Sequence, residues 1–459
     1  MRPNSPEQRD VLFHLHSQTN PRLHRECGPL IIAKGEGVHV LDNAGRRYIE
    51  AMSGLWCASL GFSNRRLIEA AQRQYEKIGF YHTFNHKTAD IVIELAERLT
   101  SIAPIPKSRA YFATSGSEAT ETMVKLSWVY HAMRGEPGRR KIITRQRAFH
   151  GSTIVAASMC GISRMQDAFG LPLPGFLHTL CPDPYREKRA DEDEAAFVAR
   201  LAAELEHLIQ CEDPGTIAAF VAEPIMGAGG VVVSPAGYFA AIQEVLDRHG
   251  ILCLADEIIC GFGRTGNWFG SQTTGMRPSM MTLAKGLSSS YFPISAVILS
   301  EPIYEAVAAA TSGEALFGHG FTNSGHPVGA AVALEAIRIY EEMDVIPHVR
   351  AIGALLRARL EEMAASSRIV GHVRGAGLML AMELAEDRER ATPFPPEMRL
   401  GARFDEEALR NGLIIRPLGD IIACCPPLII DEAGIHEIAD KLALTLRRVE
   451  AQVLSERAA

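Results

Sequence analysis

Between residues 65 and 330, short apolar runs alternate with segments of helix length. The runs are RAYFATS (109–115), KIITRQ (141–146), IAAFVAEP (217–224), ILCLADE (251–257), MMTLAKG (280–286) and ISAVILS (294–300). Runs this short and this apolar predict strands covered on both faces, and hence a mostly parallel α/β sheet. After the first of them, EATETMVKLSWVYHAMR places Ala119, Met123, Leu126, Tyr130 and Met133 at helical spacing. Residues 1–60 mix short polar stretches with strand-like pieces, GVHVLD and RYIEAM. Beyond 330 come long helices (GAAVALEAIRIYEEM, IGALLRARLEEMAAS), a hairpin-like HVRGAGLMLAMEL, and a last helix from about residue 433. RERATPFPPEMR holds three prolines in twelve residues and reads as a surface loop. The pattern predicts a large α/β domain over 63–330 and a smaller domain built from both chain ends, 1–62 and 331–459.

Composition narrows the class. A chain of 459 residues is long enough for two or three domains. It is 47% hydrophobic and 22% charged, ordinary values for a globular enzyme with a large core. The formal net charge is −7, from 47 basic and 54 acidic side chains, which argues against nucleic acid or an anionic membrane as the main partner. No apolar run reaches the ~18 residues of a membrane span, and MRPNSPEQRDVLFHLHSQ has no apolar signal core. The nine cysteines form no CxxC pair, and Cys424 and Cys425 are adjacent. Reduced thiols and a cytoplasmic location are expected.

The unusual polar residues fall at the ends of the apolar runs. Ser115-Gly116-Ser117 closes one run and opens a helix, and Phe149-His150-Gly151 follows the next. Glu223, Asp256 and Lys285 close three others. In open α/β sheets the carboxyl edge of the strands is where ligands bind. Glycine between two serines ahead of a helix offers free N–H groups, hydroxyls and a positive dipole end, which suits a phosphate. The same residues also read as a plain serine cap with Glu118 in the first turn. Asp256 reads as a carboxylate that needs a cation or several donors, or as a structural ion pair. Gly261, Gly263 and Gly266 match G-x-G-x-x-G but follow the acidic residue, so they are no dinucleotide fingerprint.

Lys285 answers best to chemistry. Desolvation lowers an ammonium pKa, and the neutral amine forms Schiff bases with carbonyls. A lysine, an aspartate and a phosphate cradle on one sheet edge match the three handles of pyridoxal 5′-phosphate: the aldehyde, the pyridine nitrogen and the phosphate. Phe149 offers a ring to stack on the cofactor.

Eight ordered blocks then carry a family resemblance: AMSGLWCASLGF, TSGSEATET, FHGST, AAFVAEPIMGAGGVVVSPAGYF, LADEIICGFGRTGNWFG, AKGLSS, HGFTNSGHPVGAAVA and GLIIRPLGDIIACCPPLII. Over about residues 25–450 the chain resembles class III aminotransferases of the fold-type I pyridoxal-phosphate enzymes, and within them the ω-amine:pyruvate aminotransferases. The resemblance implies an aspartate aminotransferase-like fold, with a mostly parallel seven-stranded sheet between helices and a smaller α+β domain. It implies Lys285 as the Schiff-base lysine and proton shuttle, Asp256 as partner of the pyridinium, and Ser115, Gly116, Ser117 and His150 around the cofactor. Ile258 packs under the ring, and Thr322 reaches the phosphate of the neighbouring subunit, so the implied dimer shares its active sites. Trp56 and Phe149 form pocket walls, and Arg416 is the mobile arginine that pairs with a substrate carboxylate. Glu223 is left between support of the cofactor and a counter-ion for Arg416. Two departures stand out: Phe149 where many relatives have tyrosine, and Asn323 after Thr322.

The implied reaction is a ping-pong transfer of an amino group from a primary amine or ω-amino acid to pyruvate. Other class III reactions (aminomutase, racemase, decarboxylase) and a non-catalytic protein on the same fold are the competing readings. Bland roles also stay open, with Trp56 a core aromatic, Arg416 a surface ion pair and His150 a core histidine.

Overall fold

The computed structural model describes residues 4–311 and 315–458. All six apolar runs form strands of one seven-stranded sheet: β1 (Arg109–Ala113), β2 (Lys141–Arg145), β4 (Ile217–Ala222), β5 (Leu252–Asp256), β6 (Met280–Leu283) and β7 (Ser295–Leu299). The seventh member, β3 (Phe176–Thr179), has no counterpart among the runs. It lies at the sheet edge and only its last residue is fully buried, so its sequence carries no unbroken apolar stretch.

The strand order is β1-β7-β6-β5-β4-β2-β3. β7 is antiparallel to both its neighbours, and the other strands run in one direction. Along β4, Phe220 and Ala222 join one core while Ala219 and Val221 join another. Side chains alternate between faces in a strand, so the sheet is covered on both sides, as its unbroken apolar runs require. Helix α1 (Gly116–Met133) starts directly after β1 and buries Ala119, Met123 and Leu126.

The chain ends meet on a second set of sheets. Strand Arg47–Glu50 pairs in parallel with Leu413–Ile414 across most of the sequence. The hairpin Val370–Ala376 with Met379–Leu384 continues through Ile421–Cys424 to Arg416–Leu418. Arg264, in the loop after β5, joins these parts to the large sheet. Its Nη1 donates to the carbonyls of Leu378 (3.0 Å) and Pro426 (2.6 Å), and its Nη2 to the hydroxyls of Ser53 (3.1 Å) and Ser59 (3.4 Å). Gly377 makes the approach possible: its φ is +55°, and a Cβ there would lie 2.7 Å from the Arg264 carbonyl oxygen.

Glu50 ends its strand as a buried carboxyl. Its Oε2 accepts from the N–H groups of Met52 (3.1 Å) and Gly54 (2.7 Å). Burial raises its pKa from 4.5 to about 7, against those two hydrogen bonds and the Arg264 charge. The folded chain therefore holds this proton more tightly than the unfolded chain. The stability this contributes is complete below about pH 4.5 and is lost as pH rises toward 7. Glu50→Gln keeps an acceptor for both N–H groups and removes the titration. In denaturant unfolding, the free-energy difference between variant and wild type should shift toward the variant by about 3 kcal/mol between pH 4.5 and 7.5. A difference that does not change with pH would show that Glu50 does not titrate in this range.

Candidate active site

The five strands that precede the unusual polar residues (β1, β2, β4, β5 and β6) all point the same way, so those residues collect on one edge of the sheet. Asp256, the last residue of β5, is buried. Its Oδ2 lies 2.8 Å from His150 Nδ1, and its Oδ1 accepts from the Ile258 N–H (3.1 Å) and the Thr282 hydroxyl (3.4 Å). An ionised carboxylate only accepts, so His150 donates through Nδ1. His150 Nε2 is buried and has no partner among the described residues. The His150 backbone N–H donates to Cys160 Sγ at 3.3 Å, which holds the main chain that carries the ring.

Lys285 follows β6 on a tight turn. Its backbone is left-handed, with φ +46°, and Ser289 and Ser290 beyond it are left-handed too. Non-glycine residues enter this region at a cost, and such strain clusters at functional sites. The half-buried ammonium makes no hydrogen bond or ion pair among the described residues. Burial lowers its pKa, and Arg416 adds to that, while Asp256, Cys57 and Glu223 oppose it. The result is an amine closer to its nucleophilic form than a surface lysine.

Trp56 comes from the N-terminal part of the chain, again in a left-handed conformation (φ +57°), and is buried. Lys285 Nζ lies 5.6 Å from the centre of its ring, and the Arg416 guanidinium carbon 4.9 Å. Arg416 is half-buried and, among the described residues, has no hydrogen-bond or ion-pair partner. Burial and the charge of Arg164 pull its pKa down, but a guanidinium stays charged.

Of the two places expected for Glu223, the counter-ion role is not met. It makes no ion pair with Arg416: its Oε1 accepts from the Phe149 N–H (3.1 Å) and its Oε2 from the Gly227 N–H (2.8 Å). Burial raises its pKa, opposed by His150 and reinforced by Asp256. Its side chain thus ties down the backbone that carries Phe149. The buried Arg145 donates through Nη2 to the Glu223 carbonyl.

At the start of α1, Ser115 is a helix cap as well as a candidate ligand. Its hydroxyl accepts from the Glu118 N–H (3.2 Å), and Glu118 reaches back in a capping box. The N–H groups of Gly116 and Ser117 have no acceptor among the described residues. A Cβ on Gly116 would sit 2.8 Å from Ile258 Cδ1, so only glycine lets Ile258 pack against this turn. Ser117 Oγ accepts from the Ser152 N–H at 3.0 Å. Thr322 is exposed at the start of a turn over residues 322–325 whose second half, Ser324 and Gly325, is buried, and no hydrogen bond joins Thr322 to the residues above.

These residues can hold pyridoxal phosphate. A partnerless lysine suits its aldehyde, a buried carboxylate its ring nitrogen, and two free N–H groups at a helix N-terminus its phosphate. Sequence reasoning missed Thr282 and Cys160, which steady Asp256 and His150. A threonine inside the apolar run MMTLAKG was a signal for the first, and nothing in the sequence marked the second.

Comparison with known proteins agrees. The chain is 43% identical over 429 residues to gamma aminobutyrate transaminase 1, mitochondrial, of Solanum lycopersicum, covering 93% of this chain and 83% of that protein. The omega transaminase of Pseudomonas jessenii in complex with PMP superposes with a TM-score of 0.96 at 47% identity, covering 98% of this chain and 99% of that one. The PMP-bound aminotransferase of Vibrio fluvialis gives 0.95 at 42% identity, covering 99% and 100%. A family model for class-III aminotransferases matches residues 22–446. The chain therefore belongs to the class-III aminotransferases, enzymes that use pyridoxal phosphate.

Proposed function

We propose that this aminotransferase moves an amino group from a primary amine or ω-amino acid to pyruvate in two half-reactions. The observation that carries the reading is the pair of cations on one indole: Lys285 Nζ and the unpartnered Arg416 guanidinium both lie against Trp56. When bound, pyridoxal phosphate supplies the carbonyl that takes up the amino group and the ring that accepts the electron pair released at the substrate carbon. Lys285 Nζ would take the proton from the substrate carbon and deliver it to the former aldehyde carbon of the cofactor. Asp256, its carboxylate held by His150, Ile258 and Thr282, keeps a proton on the ring nitrogen. Gly116 and Ser117 bind the phosphate, Ile258 and Phe149 bracket the ring, and Trp56 walls the substrate. Arg416 clamps the carboxylate of a keto acid and swings out for an uncharged substituent. The names of the relatives support this range, since gamma aminobutyrate is an ω-amino acid and the structural neighbours are omega transaminases.

Two chains complete each site in this proposal. Phe84 and Ile93 are exposed and line one cavity with Leu316, which is 77% exposed; Phe80, Tyr81 and Tyr75 are exposed nearby in sequence. An apolar surface of this kind marks a protein–protein contact. The Thr83 hydroxyl donates to the Ser324 carbonyl, which places the Thr322 turn beside this surface. The smaller domain is assigned to 1–62 and 331–459, a division supported by the pairing of Arg47–Glu50 with Leu413–Ile414. Among the described residues no helix is long and apolar enough to cross a membrane. The nine cysteines are free, which supports a reducing, cytoplasmic setting.

The test is an absorbance scan of purified protein followed by single amines and then pyruvate. A visible cofactor band, bleached by an amine and restored by pyruvate with alanine formed, is the expected result. A band that no amine bleaches would overturn the substrate assignment, and no band with added cofactor would overturn the lysine assignment. Arg416→Ala should raise the KM for pyruvate about 100-fold, the cost of stripping one partner from a buried charge pair, and leave that for an arylalkylamine nearly unchanged. Equal effects on both would remove Arg416 from this role.

A further inference from the structure

The N-terminal arm carries a cluster that transamination does not use. Helix Pro6–Phe13 and helix Pro21–Cys27 form a hairpin in which neither helix buries a residue. Three imidazoles converge there on one carboxylate. His14 Nδ1 lies 3.1 Å from Asp10 Oδ1, while His16 Nε2 and His24 Nε2 lie 2.8 Å and 3.0 Å from Asp10 Oδ2. We propose that Asp10, His14 and His16 form a binding site for a divalent transition cation of the zinc type, which His24 completes by moving inward from the same carboxylate.

The geometry fits a metal as well as it fits hydrogen bonds. One ligand atom each from Asp10, His14 and His16 lies within 4.8 Å of the other two. A tetrahedral zinc shell with bonds of about 2.0–2.2 Å separates its ligand atoms by about 3.3 Å. The observed gaps of 2.8–3.1 Å need to open by only a few tenths of an ångström. His16 Nε2 is the informative atom. It is buried and lies 2.8 Å from Asp10 Oδ2 with poor hydrogen-bond alignment. The His14–His16 and His16–His24 ring centres are 4.4 Å and 4.2 Å apart with the planes tilted by 54° and 38°, so the rings gather about a point and do not stack flat.

The donor set names the class of cation. Three imidazoles and one carboxylate suit zinc, copper or nickel, whereas magnesium and calcium prefer all-oxygen shells. Asp10 and His14 are one helical turn apart, and His16 follows on the extended segment after the helix, so three ligands come from one short stretch and His24 closes the site from the second helix. Small units without an apolar core are commonly held by such a metal. Bound zinc would lock this hairpin into one shape.

The test uses the full-length enzyme with its cofactor, stripped with EDTA and dialysed into phosphate-free buffer. Zinc is titrated by calorimetry and against a chromophoric zinc indicator, and the arm is probed by limited proteolysis with and without zinc. One zinc per chain and slower cleavage between residues 14 and 20 are expected. The double variant His14→Ala/His16→Ala should weaken binding at least about 100-fold and lose the protection. His14 is 64% exposed, so its loss does not open the core. No zinc uptake by the wild type at low micromolar concentration would overturn the site and leave a hydrogen-bonded cluster. Equal uptake by the double variant would overturn it too, and would place the zinc elsewhere, such as at His207 and the exposed Cys211.

Discussion

Lys285→Ala folds, binds the cofactor without a covalent link, and transfers no measurable amino group. The fold survives because the Lys285 ammonium has no hydrogen-bond partner to leave stranded, and burying it is a cost to the folded chain. Alanine accepts the same left-handed φ of +46° no worse than lysine does. In the proposed mechanism activity does not survive, because the covalent anchor and the group that moves the proton are one atom, Nζ. Loss of a positioned acid–base group alone lowers rates by about 10²–10⁴-fold, and loss of the anchor adds to that. The measurement is kcat with an amine and pyruvate, beside circular dichroism and the visible spectrum. A variant that keeps more than a hundredth of the wild-type rate would sink the assignment. Native dichroism with the band of a lysine-bound cofactor absent would support it.

Asp256→Asn is the second large effect, and its cause is different. The side chain keeps its size, but an amide has one acceptor where the carboxylate has two. Placed against the Ile258 N–H, the amide oxygen leaves the NH₂ facing the donating Nδ1 of His150 at 2.8 Å. Turned over, it sets the NH₂ against the Ile258 N–H. Either orientation strands a buried donor and removes the charge that keeps a proton on the cofactor ring. Leaving a buried cation without its anion costs about 3–5 kcal/mol, which corresponds to a fall of about 10²–10³-fold in the rate of the amine half-reaction. The lysine link, formed at the other end of the cofactor, should persist in the spectrum. Single-turnover bleaching by an amine measures the rate, and a variant within threefold of wild type would show that Asp256 is only structural.

Much of this site was legible because it is written locally. A parallel strand buried on both faces is an unbroken apolar run, and the residue that ends it stands out as polar. Asp256, Lys285 and Glu223 were found in that way, and Ser115-Gly116-Ser117 by its helix start. β3 escaped because an edge strand that is only partly covered needs no such run. The antiparallel direction of β7 escaped because its run, ISAVILS, is as apolar as those of its parallel neighbours. Glu223 was placed at the right edge, but Arg416 is not its partner, since its acceptors are filled by N–H groups that carry no sequence mark. The buried Arg145 and Arg264 were missed for a related reason. Their partners are largely backbone carbonyls, which every residue has.

By itself the amino-acid pattern determined six of the seven strands of the large sheet, their burial, and the polar residue that closes each run, because burial acts on one run at a time. Only the tertiary structure decided that Lys285 and Arg416 both lie against Trp56. They come from opposite ends and the middle of the chain, and no local periodicity links them. The parallel pairing of Arg47–Glu50 with Leu413–Ile414 and the four hydrogen bonds of Arg264 bring them together, and these are long-range contacts with no local signature in the sequence.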